Sequence, residues 1–175
     1  MSISAIHELP AIVEALLFTA DSPVSLKQLS GFLSEFSEAD ILSALRTLES
    51  DMRGKNRGVE LAEVAGGYVI RSKAAMSHWI ARAVQPDAVK LSRAAMETLA
   101  ITAYRQPVTR AEIEEIRGVD SSGVLRVLID RELVRPTGRK QVPGRPVLYG
   151  TTNYFLELFQ LRDIASLPDP AELKK

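Results

Sequence analysis

The sequence predicts a mainly α-helical chain with small β-hairpins (α+β), organised as two successive domains of one pattern. Each half of the chain offers three short amphipathic helical segments followed by a β-hairpin signal. Short motifs of the first half recur in the second half at matching places in this order. With 175 residues, the chain is long enough for two small domains, each with a modest core.

The first half begins with an apolar run at helical spacing that stops before Pro23, a residue that cannot extend a helix. The members of this run are Ile12, Val13, Leu16, Leu17 and Ala20. A second helix is predicted after Ser25, because its hydroxyl stands three residues before Gln28 and the two side chains form a capping box. A third helix is predicted from near Ser37 to Gly54, with an acidic residue in the matching cap position.

A hairpin follows these three helices. The β-prone runs Val59–Val64 and Tyr68–Arg71 are separated by an Ala-Gly-Gly turn, whose glycines tolerate positive φ. A further helix is predicted over Lys73–Val84, and residues 85–87 (Gln-Pro-Asp) form the predicted linker between the domains. Three helices and a hairpin make a winged-helix domain.

The second half repeats this order. A helix starts after Ser92 and breaks at Gln106-Pro107, and Thr109 with Glu112 forms a second capping box. Another helix is predicted from Asp120. These elements predict a second winged-helix domain in tandem with the first.

Two pairs of motifs suggest that one unit has been duplicated. Pro23-Val24-Ser25 matches Pro107-Val108-Thr109, since both precede a capping box. Leu45-Arg-Thr-Leu48 of the third helix matches Leu125-Arg-Val-Leu128 of the corresponding helix in the second half.

The second wing is longer and more basic than the first. Its predicted arms are Leu133–Arg135 and Pro146–Tyr149, with the loop Gly138–Gly144 between them. A short helix is expected near Tyr154–Leu161, and the charged, proline-containing end resembles a flexible tail. The predicted domains are therefore 1–84, 85–162 and a tail of 163–175.

Composition excludes several classes of protein. The 22 basic and 22 acidic side chains give a formal net charge of +0, so no global field attracts polyanions or anionic lipid. The absence of Cys excludes disulfides and fits a reducing compartment. The apolar stretch at the N-terminus is interrupted by Glu14 and is too short to span a membrane. We expect a soluble cytoplasmic protein with no membrane contact.

An enzyme is the weakest hypothesis. The only two histidines, His7 and His78, lie far apart, and neither has neighbours at metal-ligand spacing. The loop Gly138–Gly144 lacks the Lys-Ser/Thr ending of a phosphate loop, and Ser121 has the wrong spacing for a nucleophile elbow. We therefore predict no catalytic residue, no metal and no cofactor.

The alternative hypothesis is a winged-helix transcriptional regulator. In such proteins the start of the last helix before the wing reads bases in the major groove. Here those positions are Ser37–Asp40 and Asp120–Gly123, which are acidic or small where base-reading side chains belong. Arg139 and Lys140 of the second wing remain possible contacts to phosphates, so any DNA binding should be weak, non-specific or indirect.

Two long motifs carry a resemblance to a known family. They are LSRAAMETLAITAYRQPVTRAEIEEIRGV at residues 91–119 and GRKQVPGRPVLYGTT at residues 138–152. Shorter stretches agree at 14–18 (EALLF), 23–26 (PVSL) and 58–68 (GVELAEVAGGY). Up to about Leu161 the chain resembles the bacterial segregation and condensation protein B family.

The resemblance implies a tandem winged-helix subunit of a condensin-like complex that acts in chromosome condensation and segregation during cell division. It implies that the chain forms a homodimer through its N-terminal domain and binds a kleisin, the segregation and condensation protein A type of subunit. ATP hydrolysis would belong to the structural-maintenance-of-chromosomes (SMC) ATPase, which this subunit would reach only through the kleisin. The implied location is the cytoplasm, in association with the nucleoid.

Two surfaces are candidates for these contacts. The candidate kleisin contacts lie at the break after the helix from Ser92 and on the second wing: Tyr104, Arg105, Gln106, Pro107, Arg145 and Tyr149. The candidate dimer contacts lie on the first helix, which is apolar on both faces: Ile12, Val13, Leu16, Leu17 and Phe18. The alternatives are that Tyr149 and Pro107 serve only the second core, and that Leu16 and Ile12 serve only the first.

Overall fold

The computed structural model describes residues 3–83 and 91–170, with side chains from residue 8 onward in the first segment. The chain divides into two compact units, Met1–Asp87 and Ala88–Lys175. Each unit contains helices followed by a β-hairpin, so the predicted fold class is confirmed. The predicted linker, residues 85–87, lies outside the described residues.

Three helices open the first unit: α1 (Ile3–Thr19), α2 (Leu26–Phe32) and α3 (Glu38–Met52). Both predicted capping boxes are present. The Ser25 hydroxyl accepts from the Gln28 N–H at 3.3 Å, while Gln28 Oε1 accepts from the Ser25 N–H at 2.9 Å. Ser37 and Asp40 repeat this exchange at the start of α3, with both distances 3.2 Å. Local sequence thus sets where α2 and α3 begin.

The first core lies between these helices and the wing. α1 packs along α3, and both contact the hairpin that follows. The buried core residues are Leu9, Val13, Leu17, Val24, Leu29, Leu33, Phe36, Ile41, Ala44, Leu45, Leu48 and Met52. Their spacing on α1 and α3 follows the helical period, which leaves the opposite face of each helix in solvent.

The first wing pairs β1 (Val59–Val64) with β2 (Gly67–Ser72) in antiparallel register. Its turn places Ala65 and Gly66 at φ of 51° and 73°, so the predicted glycine-assisted hairpin is confirmed. A 3₁₀ turn (Ala74–Met76) and α4 (Ser77–Ala83) then occupy the segment predicted as one helix, whose last residue, 84, lies outside the described range.

The second unit repeats the helical part with α5 (Arg93–Arg105), α6 (Arg110–Arg117) and α7 (Ser122–Asp130). Thr109 and Glu112 form the predicted capping box of α6. The two-residue strand β3 (Val108–Thr109) precedes α6. The second wing consists of β4 (Val134–Arg139) and β5 (Val147–Thr151), and α8 (Asn153–Leu158) follows it. β5 lies between β3 and β4, and both pairings are antiparallel.

Each unit contains an equivalent long-range backbone pairing, and this equivalence supports the duplication. In the first unit Val24 and Tyr68 exchange backbone hydrogen bonds of 2.9 and 2.8 Å. In the second unit Val108 pairs in register with Tyr149. Each pairing joins the segment before the second helix to the second strand of the wing.

The second core uses the positions that the repeated motif predicts. Leu125 and Leu128 of α7 are buried, as are Leu45 and Leu48 of α3. The other buried members are Ala95, Leu99, Ala103, Val108, Ile113, Leu133, Val134 and Phe155. The matching burial follows from helical spacing, which turns both leucines of each motif to one face.

The segment after α8 differs from the predicted flexible tail of 163–175. Asp163 Oδ1 accepts from the Ser166 N–H at 2.9 Å and caps a 3₁₀ turn over Ile164–Ser166. Leu167 packs against the second core, and the Pro168 carbonyl accepts a hydrogen bond from the Tyr104 hydroxyl at 2.7 Å. A cap, one apolar anchor and one hydrogen bond thus connect residues 163–168 to the second unit, which the predicted tail did not include. Residues 171–175 lie outside the described range.

None of the helices in the described ranges is long and apolar enough to cross a membrane.

Close approach of the wing to the segment before α2 predicts that Gly67→Ala destabilises the first unit. A Cβ at Gly67 would meet the backbone carbons of Pro23 at 2.9 Å and Val24 at 3.0 Å, so one of the paired segments must shift. We expect a loss of about 1 to 3 kcal/mol in the free energy of unfolding, measured by urea titration of the helical circular-dichroism signal.

Gly31→Ala is the matched control, since a Cβ at Gly31 meets nothing within 4 Å and alanine is the better helix former. Equal free energies of unfolding for Gly67→Ala and the wild type would contradict the close packing.

Candidate partner-binding surfaces

The turn between α5 and α6 is held from inside by Gln106. Its Oε1 accepts from the Thr151 N–H at 2.7 Å and from the Thr151 hydroxyl at 3.1 Å, and its Nε2 donates to the Ala103 carbonyl at 3.3 Å. Gly150 leaves room for this carboxamide, because a Cβ there would meet Oε1 at 2.8 Å. The Gln106–Pro107 peptide bond is cis. Gln106 therefore joins the turn to the wing.

A groove lies on the outer side of this turn. Its lining residues are Arg105, Pro107, Val108, Glu112, Glu115 and Ile116. Proline, valine and isoleucine supply apolar surface, and Arg105 and the two glutamates supply opposite charges. Ile116 is 54% exposed, and Arg105 and Pro107 are exposed as well. We call these six residues the α5–α6 groove.

Glu112 connects this groove to the second wing. Lys140 Nζ donates to Glu112 Oε1 at 2.6 Å, while Oε2 accepts from the Thr109 N–H at 2.8 Å and from the Thr109 hydroxyl at 2.7 Å. The hydrogen bond from Lys140, followed by those from the Thr109 N–H and hydroxyl, lowers the pKa of Glu112 from 4.5 to about 2. The carboxylate stays charged at neutral pH and neutralises Lys140.

The other predicted wing contacts are in different surroundings. Arg139 and Arg145 are exposed, and Arg139 Nη1 donates to the Arg145 carbonyl at 3.1 Å. Tyr149 is half-buried against the second core at the position that matches Tyr68 of the first unit. This position favours the alternative in which Tyr149 serves the core of its own unit.

Tyr104 belongs to a different cleft from the groove. Its ring is 37% exposed, and it lines a cleft with Ala103, Gln106 and the segment from Ile164 to Pro170. Its hydroxyl donates to that segment at Pro168. Of the six predicted kleisin contacts, only Arg105 and Pro107 line the α5–α6 groove.

Ile116 and Glu115 are groove residues that sequence reasoning missed. Ile113 and Ile116 both fit the apolar face of α6, but Ile113 is fully buried and Ile116 is not. A helix of eight residues turns only a narrow stripe to the core. The position of Ile116 as the last apolar residue of α6 was therefore the feature of the sequence that indicated an exposed apolar side chain.

The predicted dimer contacts on α1 divide between core and surface. Val13 and Leu17 are fully buried in the first core, where the unit itself covers them. Leu16 is partly buried and packs against this core, so its predicted dimer contact stays a prediction. Phe18 is 78% exposed and Ile12 is 36% exposed. Sequence alone could not separate the two sets, because α1 carries apolar residues on both faces.

The start of α7 does not present base-reading groups. Ser121 is buried, where its hydroxyl accepts from Arg117 Nη1 at 2.9 Å and its N–H donates to Glu114 Oε1 at 3.0 Å. A hydrogen bond from the Ser122 hydroxyl lowers the pKa of Asp120, which therefore stays negative. A negative charge and a buried hydroxyl disfavour insertion of α7 into a DNA groove.

The described ranges contain no group of three or more His, Cys, Asp or Glu side chains able to hold a metal ion.

Comparison with known proteins gives consistent matches. The family model described as "Segregation and condensation complex subunit ScpB" matches residues 11–170. Segregation and condensation protein B of Syntrophotalea carbinolica is 48% identical over 161 residues, which cover 92% of this chain and 81% of that protein. The protein of the same name from Moorella thermoacetica is 46% identical over 160 residues, covering 91% of this chain and 82% of that protein.

A solved structure, a dimer of the ScpB N-terminal domain complexed with ScpA peptide, is 33% identical, with a TM-score of 0.43. The match covers 46% of this chain and 99% of the solved chain.

The Glu112–Lys140 pair predicts a pH-dependent contribution to stability. Because folding lowers the pKa of Glu112 from 4.5 to about 2, the contribution is complete above about pH 4.5 and is lost as the pH falls towards 2. The Glu112 side chain is 39% exposed, so solvent screening keeps the contribution below about 1 kcal/mol. Glu112→Gln should be less stable than the wild type at neutral pH, and the difference should disappear as the pH approaches 2 in urea titrations.

Glu115→Gln removes the same charge from the same helix without a contact to Lys140, and serves as the control. A difference between Glu112→Gln and the wild type that is constant across this pH range would contradict the pairing.

Proposed function

The chain belongs to the family of segregation and condensation complex subunits called ScpB, and we propose that it is a non-catalytic scaffold of a condensin-like complex. The resemblance of its two central motifs to this family is thereby confirmed. In this role the chain pairs with a second copy of itself and binds a kleisin subunit. The SMC ATPase, reached through the kleisin, supplies ATP hydrolysis.

The α5–α6 groove is the observation that carries the kleisin assignment. Its apolar residues Pro107, Val108 and Ile116 can receive an apolar anchor of a peptide, and Arg105 can bind a carboxylate beside it. Gln106 fixes the turn through Thr151, and Lys140 fixes Glu112, so the groove exists before the partner arrives. A preformed groove lowers the entropy lost on binding.

The exposed face of α1 supports pairing with a second copy. At about 100° per residue, Ala11, Ala15 and Phe18 fall on one stripe, with Ile12 at its edge, and all four are exposed. The exposed Glu8 and Glu14 flank this stripe. The two alanines allow another helix to approach closely, and Phe18 offers a large ring that the monomer leaves in water. A symmetric contact between two α1 helices would bury both rings.

A scaffold role needs no catalytic group, and the side chains of the groove are committed to structure or to contact. The chain has no Cys and two His, which limits nucleophilic and general-base chemistry. We place the complex in the cytoplasm at the nucleoid, where its chromosomal substrate lies.

Pairing through α1 predicts that Phe18→Asp yields monomers. Two buried carboxylates would face each other at a contact that excludes water, so the dissociation constant should rise by at least about thirtyfold, or roughly 2 kcal/mol. Sedimentation of the wild type should give the mass of a dimer and Phe18→Asp that of a monomer, with the helical circular-dichroism signal retained.

Phe32→Asp is the matched control, because Phe32 is an exposed phenylalanine at the end of α2. A dimer mass for Phe18→Asp, or a monomer mass for Phe32→Asp but not for Phe18→Asp, would contradict pairing through α1.

Kleisin binding in the groove predicts that Ile116→Asp and Arg105→Ala each weaken affinity for the kleisin by at least about tenfold in calorimetry. Both side chains are exposed, so both variants should keep the fold and the dimer mass. Val119→Asp is the control, since Val119 is as exposed as Ile116 but does not line the groove. Wild-type affinity in both folded groove variants would exclude this site.

A further inference from the structure

The two wings occupy the same place in their units but differ in charge. The second hairpin, residues 133–151, contains four basic side chains, Arg135, Arg139, Lys140 and Arg145, and no acidic one. The first hairpin, residues 59–72, contains Glu60, Glu63 and one basic residue, Arg71. Arg71 Nε lies 2.9 Å from Glu60 Oε1, so that charge is matched within the hairpin. A basic wing is therefore a property of the second unit and not of the fold.

Two arginines at the tip of the second wing carry charge that the protein does not neutralise. Lys140 is paired with Glu112 at 2.6 Å. Arg139 and Arg145 are exposed, and within the described ranges neither forms an ion pair with a carboxylate. Arg139 Nη1 donates a hydrogen bond to the Arg145 carbonyl. This bond neutralises neither guanidinium group, so both positive charges are available to a ligand.

The tip is held in a defined conformation. Across the loop, the Lys140 N–H donates to the Pro146 carbonyl and the Arg145 N–H donates to the Val142 carbonyl, both at 2.9 Å. Gly144 takes the left-handed turn at φ of 82°. The Lys140–Glu112 pair joins the loop to α6. The loop that carries the two guanidinium groups is therefore held by backbone hydrogen bonds across it and by this ion pair to α6.

The chemistry of this tip favours phosphate. A guanidinium group offers paired N–H donors that match two oxygens of one phosphate, and it is weakly hydrated compared with an ammonium group. Val142 is the exposed large apolar side chain at the tip, so a protein partner would gain little apolar burial there. Glu112 on the neighbouring helix is already compensated by Lys140, which leaves Glu115 as the nearby acidic side chain of the groove.

We propose that the second wing binds the phosphate backbone of double-stranded DNA through Arg139 and Arg145, without reading its sequence. The start of α7, with a negative Asp120 and a buried Ser121, stays outside the major groove, so the wing makes the contact alone. Neither pairing of two copies nor kleisin binding requires this contact. With two phosphates neutralised, the logarithm of the binding constant should fall with the logarithm of the salt concentration at a slope of roughly −2 per wing.

Fluorescence anisotropy of a labelled duplex of roughly 30 bp and arbitrary sequence tests the proposal on the full chain at about 50 mM salt. We expect binding by the wild type and at least about tenfold weaker binding by the double variant Arg139→Gln with Arg145→Gln. Arg139→Lys with Arg145→Lys should recover most of the affinity, because it restores both charges. Arg53→Gln with Arg57→Gln removes the same charge from exposed sites of the first unit and should bind as the wild type does.

Three results would overturn the proposal. The first is no binding of any duplex by the wild type, and the second is an equal loss in the Arg53 and Arg57 control, which would indicate net charge rather than the wing. The third is binding of a polyglutamate peptide in preference to the duplex, which would indicate an acidic protein partner. Kleisin affinity should be unchanged in the single variant Arg139→Gln, a residue that is not among the candidate kleisin contacts, so a failure here is distinct from a failure of the scaffold role.

Discussion

Each half of this molecule depends on one antiparallel pairing, between the segment that precedes the second helix and the second strand of the wing. Val24 with Tyr68 and Val108 with Tyr149 are the two examples. The pairing closes a core that three short helices alone would leave open on one side, and it brings a half-buried tyrosine onto that core. In the second unit it also brings Thr151 to Gln106, which fixes the turn beside the groove.

The small size of each core affects which residues remain available to partners. Small domains have small cores, and the core-facing positions of α1, among them Val13 and Leu17, are buried there. Other apolar side chains also stay exposed, among them Phe32 and Trp79. Those that we propose for partner contacts are Phe18 and Ile12 on α1, and Pro107 and Ile116, beside Arg105, around the α5–α6 turn. We propose that a subunit of this kind binds its partners through preformed surfaces.

Local patterns in the sequence predicted much of the fold, because capping boxes, helix breaks and hairpin turns act over a few residues. Ser25, Ser37 and Thr109 each cap the predicted helix. The surfaces were harder to predict, since they depend on contacts between distant residues. Gln106 and Thr151 lie 45 positions apart, and Glu112 and Lys140 lie 28 apart. The apolar composition of α1 could not distinguish its core face from its exposed face, and a single leucine, Leu167, anchored a segment whose composition predicted a tail.

The central claim is that the first unit pairs with a second copy while the second unit receives the kleisin. Amide hydrogen exchange of the full chain, with and without the kleisin, tests both parts in one measurement. The account predicts that α1 is protected in either condition, because the pair exists before the kleisin binds. It also predicts that added kleisin slows exchange in the α5–α6 turn and in α6. Protection gained only in the first unit, or none in the second unit at saturating kleisin, would contradict the account.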